Sequence, residues 1–279
     1  MEKRETMTKN PPAAKMPEDR TKDMAFLDHL EELRWRILKG LGGIGLGVVI
    51  AFIFGDFFID VIILGPTNAD FIVYDMLGIE AVDLVLQSRK LPGQFFTYWG
   101  TLIVIGGIIG CPILFYQLWA FIEPAMESGE KWKTRGHTLF ITFFFLFGVA
   151  FGYFVLVPFA LQFFSQFQIS TSIHNDFDIN EYFSSLTMWV LSCGIIFQLP
   201  VLSYFLSKFG LISPEFLRQY RRHAIIFCFV ASAFLTPPDP VSQILVAIPL
   251  VLLYQLSIWI SKLAVRKRKK ELDKAFGDA

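Results

Sequence analysis

Six long uncharged stretches dominate the chain, each bounded by charged segments. They run from Gly40 to Gly55 (with an extension through Phe57, Phe58 and Ile59), Tyr98 to Trp119, Thr138 to Phe164, Tyr182 to Ser207, Ala224 to Pro238 and Val241 to Ser261. A helix rises about 1.5 Å per residue, so about 20 apolar residues cross a hydrocarbon core about 30 Å thick. The fifth stretch is short: about 15 residues reach only about 22 Å. It still counts as a span, because the sixth needs a return path and Thr236-Pro237-Pro238-Asp239-Pro240 is a strong turn. A short pair of this kind thins the bilayer locally or sits against longer helices. The pattern predicts an all-α integral membrane protein with six transmembrane helices, a short fifth span and an extended external first loop.

The segments outside the spans read differently. Residues 1–24 are rich in Lys, Glu, Pro and Thr with no apolar period, and predict a disordered tail. From Ala25 to Leu38, Phe26, Leu27, Leu30, Leu33, Ile37 and Leu38 recur at helical spacing, with Asp28, Glu31, Glu32, Arg34 and Arg36 between them. That predicts an amphipathic helix at the interface, running into the first span. The six-span domain covers residues 25–262, and residues 263–279 form a basic tail. In the long first loop, Leu77 to Leu86 is expected to cap the external side. No internal repeat is evident, so an inverted-repeat transporter is not indicated.

Basic residues set the orientation. Of the 25 Lys and Arg, 23 fall on one side: nine up to Lys39, three between the second and third spans, four between the fourth and fifth, and seven from Lys262 onward. The other side has only Arg89 and Lys90, beside the acids Asp56, Asp60, Asp70, Asp75, Glu80 and Asp83. The positive-inside rule then puts both termini in the cytoplasm. Composition agrees: 54% hydrophobic, with 31 Phe and only 18% charged, is apolar surface for lipid to cover. With zero formal net charge, nothing points to nucleic acid. The first apolar run begins behind a long charged segment, too late for a cleavable signal peptide.

Catalytic signatures are missing: there is no GxxxxGK[ST], HExxH or GxSxG, and the chain is not expected to be an enzyme. Neither cofactor nor metal is expected. Cys111, Cys193 and Cys228 lie in apolar runs and read as small buried residues, while His29, His137, His174 and His223 are scattered near span ends. The informative residues are acids at the basic rim. His29 to Arg36 (His-Leu-Glu-Glu-Leu-Arg-Trp-Arg) and the run from Trp119 to Glu130 set carboxylates on a face otherwise made of Lys and Arg. One reading is solvated helix faces with local ion pairs and acids at a helix start opened by Pro124; the other is a site for a cationic peptide. Inside the spans, Gln198 lies deep in the fourth, followed by Pro200. An amide there needs a partner, and inter-helix bonding and a water-filled hollow both satisfy it.

Taken in order, these motifs resemble one family. His29-Leu30-Glu31-Glu32-Leu33-Arg34-Trp35-Arg36 is similar to the HLxELRxR opening of the TatC family, the core subunit of the twin-arginine protein translocase. Tyr116-Gln117-Leu118-Trp119-Ala120-Phe121-Ile122-Glu123-Pro124, with Glu130 following, resembles its first cytoplasmic loop. Phe197-Gln198-Leu199-Pro200-Val201 resembles its fourth-span motif, and Leu235 to Gln243 its last external turn, with Pro237 and Asp239. The resemblance spans about Phe26 to Ser261. It implies a receptor, in a bacterial or archaeal cytoplasmic (inner) membrane, for twin-arginine signal peptides of folded proteins. Export would be driven by the proton-motive force, with TatA-type and TatB-type single-span partners in a multi-copy assembly. It also implies signal-binding carboxylates at Glu32 and Glu130, with Phe121, Arg34 and Pro124 in the same motifs. The chain departs from many relatives in carrying Gln198 where they have Glu, in Glu123, and in its longer first external loop. The competing reading is a secondary transporter or channel for a small solute or ion, which calls for paired ionisable residues at mid-membrane.

Overall fold

The computed structural model describes residues 18–122, 131–170, 175–236 and 240–277. Its first helix, α1 (Glu18–Ile53), is a single 36-residue rod, so the expected amphipathic segment and first span are continuous. It begins inside the segment expected as a tail; residues 1–17 lie outside the described residues. The first loop then folds as a π-helical turn (Phe57–Ile63), a 3-10 turn (Gly65–Thr67), the short helix α2 (Ile72–Leu77) and the two-residue strand β1 (Leu86–Gln87). The second span is α3 (Gly93–Ile122), with Pro112 inside it.

Two later spans are each built from two helices. In the third, α4 (Lys131–Phe151) passes through a π-helical turn (Gly152–Leu156) into α5 (Val157–Gln166). The turn lies just ahead of Pro158, whose ring would clash with a preceding carbonyl in a regular helix. In the fourth, strand β2 (Phe177–Asp178) leads into α6 (Ile179–Ile196), which breaks at Phe197–Gln198 and resumes as α7 (Leu199–Lys208) with Pro200 in its first turn. Next come α8 (Pro214–Gln219), capped by the Ser213 hydroxyl, α9 (Arg221–Leu235) and α10 (Pro240–Gly277).

Among the described residues, five helices are long and apolar enough to cross a membrane: Leu30–Ile53, Gly93–Ile122, Gly136–Gln166, Ile179–Lys208 and Gln243–Arg266. Helix α9 fills the fifth uncharged stretch, but its 15 residues fall short of spanning length. The chain is therefore a multi-pass membrane protein. Large apolar side chains such as Val49, Ile53, Phe143, Phe227, Leu252 and Trp259 lie on the outer faces of the bundle, where lipid replaces water.

The helices pack in a row. Helix α1 lies against α3, α3 against α4 and α6, α4 against α6 and α7, and α10 against α7 and α9. Glycine makes two of these crossings. A Cβ on Gly110 would come within 2.5 Å of the Ile44 Cα, and Gly47 and Gly106 meet backbone of the facing helix just as closely. Both helices thus carry a GxxxG pair, Gly43/Gly47 and Gly106/Gly110, at their contact. Gly148 and Gly152 do the same for α4 against α6, where a Cβ on Gly152 would sit 2.9 Å from the Val190 Cα. In lipid no hydrophobic force draws helices together, so close backbone approach supplies the packing energy.

The long loop covers one end of the helices, and Val82, Leu84 and Leu86 of the expected Leu77 to Leu86 cap pack there. The loop's helix is α2, ended by Gly78 in the left-handed conformation (φ 66°), and residues 79–85 have no regular structure. Tyr74 and Val82 are the buried anchors. The Tyr74 hydroxyl donates to the Pro66 carbonyl, and burial, then the neighbouring Tyr153, push its pKa up to about 12. Tyr182 donates to Ile63 O at 2.6 Å and Tyr153 to Ile62 O at 2.6 Å, tying the π-helical turn to the third and fourth spans. Strand β1 pairs in parallel with β2, and Arg89 reaches the Asp176 carboxylate at 3.5 Å.

Candidate functional site

The helix α1 holds the first candidate group. Glu32, Leu33 and Arg36 are half-buried, while Leu30, Glu31, Arg34, Trp35, Ile37 and Leu38 face outward. Glu32 and Arg36 are one turn apart and meet. Both Arg36 Nε (2.8 Å) and Nη2 (2.6 Å) donate to the same Glu32 oxygen, Oε1. Their side chains are 39% and 25% exposed respectively, so this i,i+4 pair is worth only about 0.3–0.5 kcal/mol. Of the two readings of this motif, the local ion pair is present in the structure. Arg34 is exposed and makes no ion pair among the described residues.

The second group lies at the end of α3. Phe121 is half-buried in the last turn, while Pro124 and Glu130 lie outside the described residues. The two groups are connected by the register of the α1–α3 crossing. A Cβ on Gly55 would meet Tyr98, one on Gly47 would meet Gly106 and Gly110, and one on Gly40 would meet Leu114. The helices are thus antiparallel, and each step back along α1 is matched by a step forward along α3. Glu32 is eight residues before Gly40 and Ile122 eight residues after Leu114. The register therefore sets Glu32 level with the end of α3, where the connection carrying Pro124 and Glu130 begins.

Behind the end of α3 is an aromatic brace. The Trp119 indole is stacked on His137 of α4 (centroids 4.7 Å apart, planes at 21°) and packs against Phe205 of α7 at 4.3 Å. His137 Nε2 lies 3.2 Å from the Tyr204 hydroxyl. The sequence offers His137 as a scattered interfacial residue; its partners come from two other helices, α3 and α7, and no local spacing signals them.

Gln198 sits where α6 breaks. Its Nε2 donates to Ile141 O on α4 at 3.2 Å, while its Oε1 is buried with no hydrogen-bond partner among the described residues. The Thr142 hydroxyl is orphaned in the same way. The amide is thus half engaged as inter-helix glue. Pro237 and Asp239 lie outside the described residues; the turn they belong to is entered through Thr236, whose hydroxyl donates to Ser232 O at 2.9 Å. No metal-binding group of His, Cys, Asp or Glu occurs among the described residues.

The polar links on the capped end include a feature the sequence reading missed. Asp178 accepts from the amide of Asn180 as the N-cap of α6, and from the Arg89 amide. The Asn180 side chain, then the backbone amides of Asn180, Arg89 and Glu181, hold its carboxyl below the usual aspartate range. The Asp-x-Asn spacing ahead of an apolar run was a legible capping signal.

Comparison with known proteins adds the family. Residues 28–249 match the family described as Sec-independent protein translocase protein (TatC). The chain belongs to the TatC family. The TatC of Blattabacterium sp. subsp. Periplaneta americana is 37% identical over 260 residues, covering 88% of this chain and 98% of that one. The TatC of Halalkalibacterium halodurans is 36% identical over 249 residues, covering 89% and 93%. A crystal structure named as the twin-arginine translocase receptor TatC superposes with a TM-score of 0.66 at 33% identity, covering 85% of this chain and 99% of its own. A second, determined in the detergent DDM, gives 0.68 at 32% identity. The motifs read in the sequence and the TatC comparison therefore agree.

Proposed function

We propose that this chain is the receptor subunit of a twin-arginine protein translocase: as a TatC protein it is a transport component, and it binds twin-arginine signal peptides of folded proteins at Glu32 and Glu130. The α1–α3 register carries this reading, because it brings Glu32 level with the start of the connection that contains Glu130. Two guanidiniums want two carboxylates, each able to accept a fork of hydrogen bonds. The Arg36 fork on Glu32 supports it further, since that carboxylate already accepts a guanidinium. Phe121, Arg34 and Pro124 complete the surface. The protein sits in the cytoplasmic (inner) membrane with six crossings, α9 being the short fifth, and both termini in the cytoplasm. It works in several copies with TatA-type and TatB-type single-span partners, drawing on the proton-motive force. A small-solute transporter is disfavoured because the deep polar residue Gln198 is neutral and already bonded to a neighbouring helix.

Two experiments test this. In a strain lacking the gene, the wild-type chain should restore export of folded, cofactor-containing proteins with twin-arginine signals. Glu32→Ala with Glu130→Ala should lower export at least about tenfold at normal abundance, matching the loss of a charge-assisted bond. Full export by the double variant would remove the assignment. For topology, single cysteines at Ser88 and Ser170 should react with impermeant thiol reagents from outside, and ones at Ser128 and Ser213 should not. External labelling at Ser128 would invert the orientation.

A further inference from the structure

Between α3, α4 and α6 the bundle leaves a cavity of 320 Å³, walled by Ile105 and Ile108, by Val149 and Ala150, and by Leu186 and Val190. We propose that this cavity binds one acyl chain of a phospholipid from the leaflet on the capped side, with a zwitterionic, amine-bearing headgroup beside Asp56 and Asp60. The walls offer no hydroxyl left to bond. Thr187 already donates to Phe183 O at 2.7 Å, and Tyr153 to Ile62 O at 2.6 Å. A buried water needs two to four polar partners, so water is excluded here.

The cavity is also held open. Its rim on the capped side is formed by the two π-helical turns, through Phe58 and Ile62 of one and Tyr153 and Phe154 of the other. The Tyr153 bond ties these turns together and Tyr182 holds Ile63 O at 2.6 Å, so the spacing of the walls is fixed. Left unfilled, such a volume forfeits contacts for every side chain around it, and the loss grows with volume. Leu146 and Phe154, 43% and 47% exposed, open it sideways to lipid. A helix about 10–12 Å across would fill 320 Å³ with less than one turn, whereas an acyl chain is thin enough to enter. Charge then selects the headgroup. Asp56 and Asp60 are exposed on the segment that carries Phe58, and the loop beyond adds Asp70, Asp75, Glu80 and Asp83 against Arg89 and Lys90. That edge repels an anionic headgroup and attracts an ammonium.

The test uses the full-length protein in vesicles of equal parts phosphatidylethanolamine and phosphatidylglycerol, with a photoreactive diazirine in the acyl chain of one or the other. The ethanolamine probe should label the cavity segments of α3 and α4 above the outward-facing segment around Leu252, and above the labelling those cavity segments receive from the glycerol probe. Ala150→Phe fills the cavity from α4 and should lower cavity labelling about tenfold, with labelling around Leu252 unchanged. Val104→Phe should do the same from α3, so a folding defect in one variant leaves the other to decide. Cavity labelling no higher than around Leu252, or unchanged in both variants, would overturn the site. Equal labelling by the two probes would overturn the headgroup assignment. In native membranes, a cysteine at Leu146 that crosslinked to a partner's transmembrane helix would give the cavity to protein instead of lipid, and would also overturn the proposal.

Discussion

The ion pairs at the two ends of the molecule are built in opposite ways. At the capped end, the links join residues far apart in the chain: Tyr182 to Ile63, Tyr153 to Ile62, Arg89 to Asp176, and β1 to β2. At the basic end, the described ion pair joins neighbours on a single helix, Glu32 and Arg36. Long-range links, above all those of the buried Tyr182 and half-buried Tyr153, form on folding and fix the shape of the cap. A local, half-exposed pair can open and close without moving a helix. The capped end is thus held by links between distant segments, whereas the basic end carries a local pair that can open without moving a helix.

The strongest way to break this contrast is to disturb what carries α1. Helix α1 packs mainly against α3, and the crossing has no room for a side chain at Gly106. Gly106→Leu should therefore destabilise the bundle by about 3 kcal/mol and uncouple Glu32 from the end of α3. Thermal unfolding in detergent should show a lower midpoint, together with loss of peptide binding; an unshifted midpoint would mean the helices can separate freely. A smaller effect is expected at the other end. Tyr182→Phe leaves the Ile63 carbonyl without its hydroxyl partner and should cost about 1–2 kcal/mol. Hydrogen exchange should speed up across residues 57–67 while peptide binding is unchanged. If binding fell as well, the two ends would be coupled and the contrast would weaken.

How much of this was legible in the sequence follows the same division. The spans could be read because lipid imposes length and a near absence of charge, and stretches within α1, α3 and α10 obey both. The Glu32–Arg36 pair could be read because i,i+4 spacing is fixed by the helix itself. The cap could be read only in part. Val82, Leu84 and Leu86 fall inside the expected Leu77 to Leu86 segment, whereas Tyr74 lies outside it, and the pairing of Leu86 with Phe177 joins segments far apart in the chain. The π-helical turn before Pro158 was hidden for a related reason: the proline was visible, but whether its strain emerges as a kink or a widened turn is decided by packing against α6. For the site, Glu32 was legible from motif and charge, whereas its alignment with the end of α3 depends on which glycines meet across the crossing.

The central claim is that Glu32 takes a signal-peptide arginine directly, and a double-mutant cycle tests it most closely. Affinities would be measured for wild type and Glu32→Gln, each with a twin-arginine peptide and with peptides in which one or the other arginine is glutamine. Direct pairing predicts a coupling energy of about 1.5–3 kcal/mol between Glu32 and one of the two arginines. Additive losses, with coupling below about 0.5 kcal/mol for both arginines, would contradict the account.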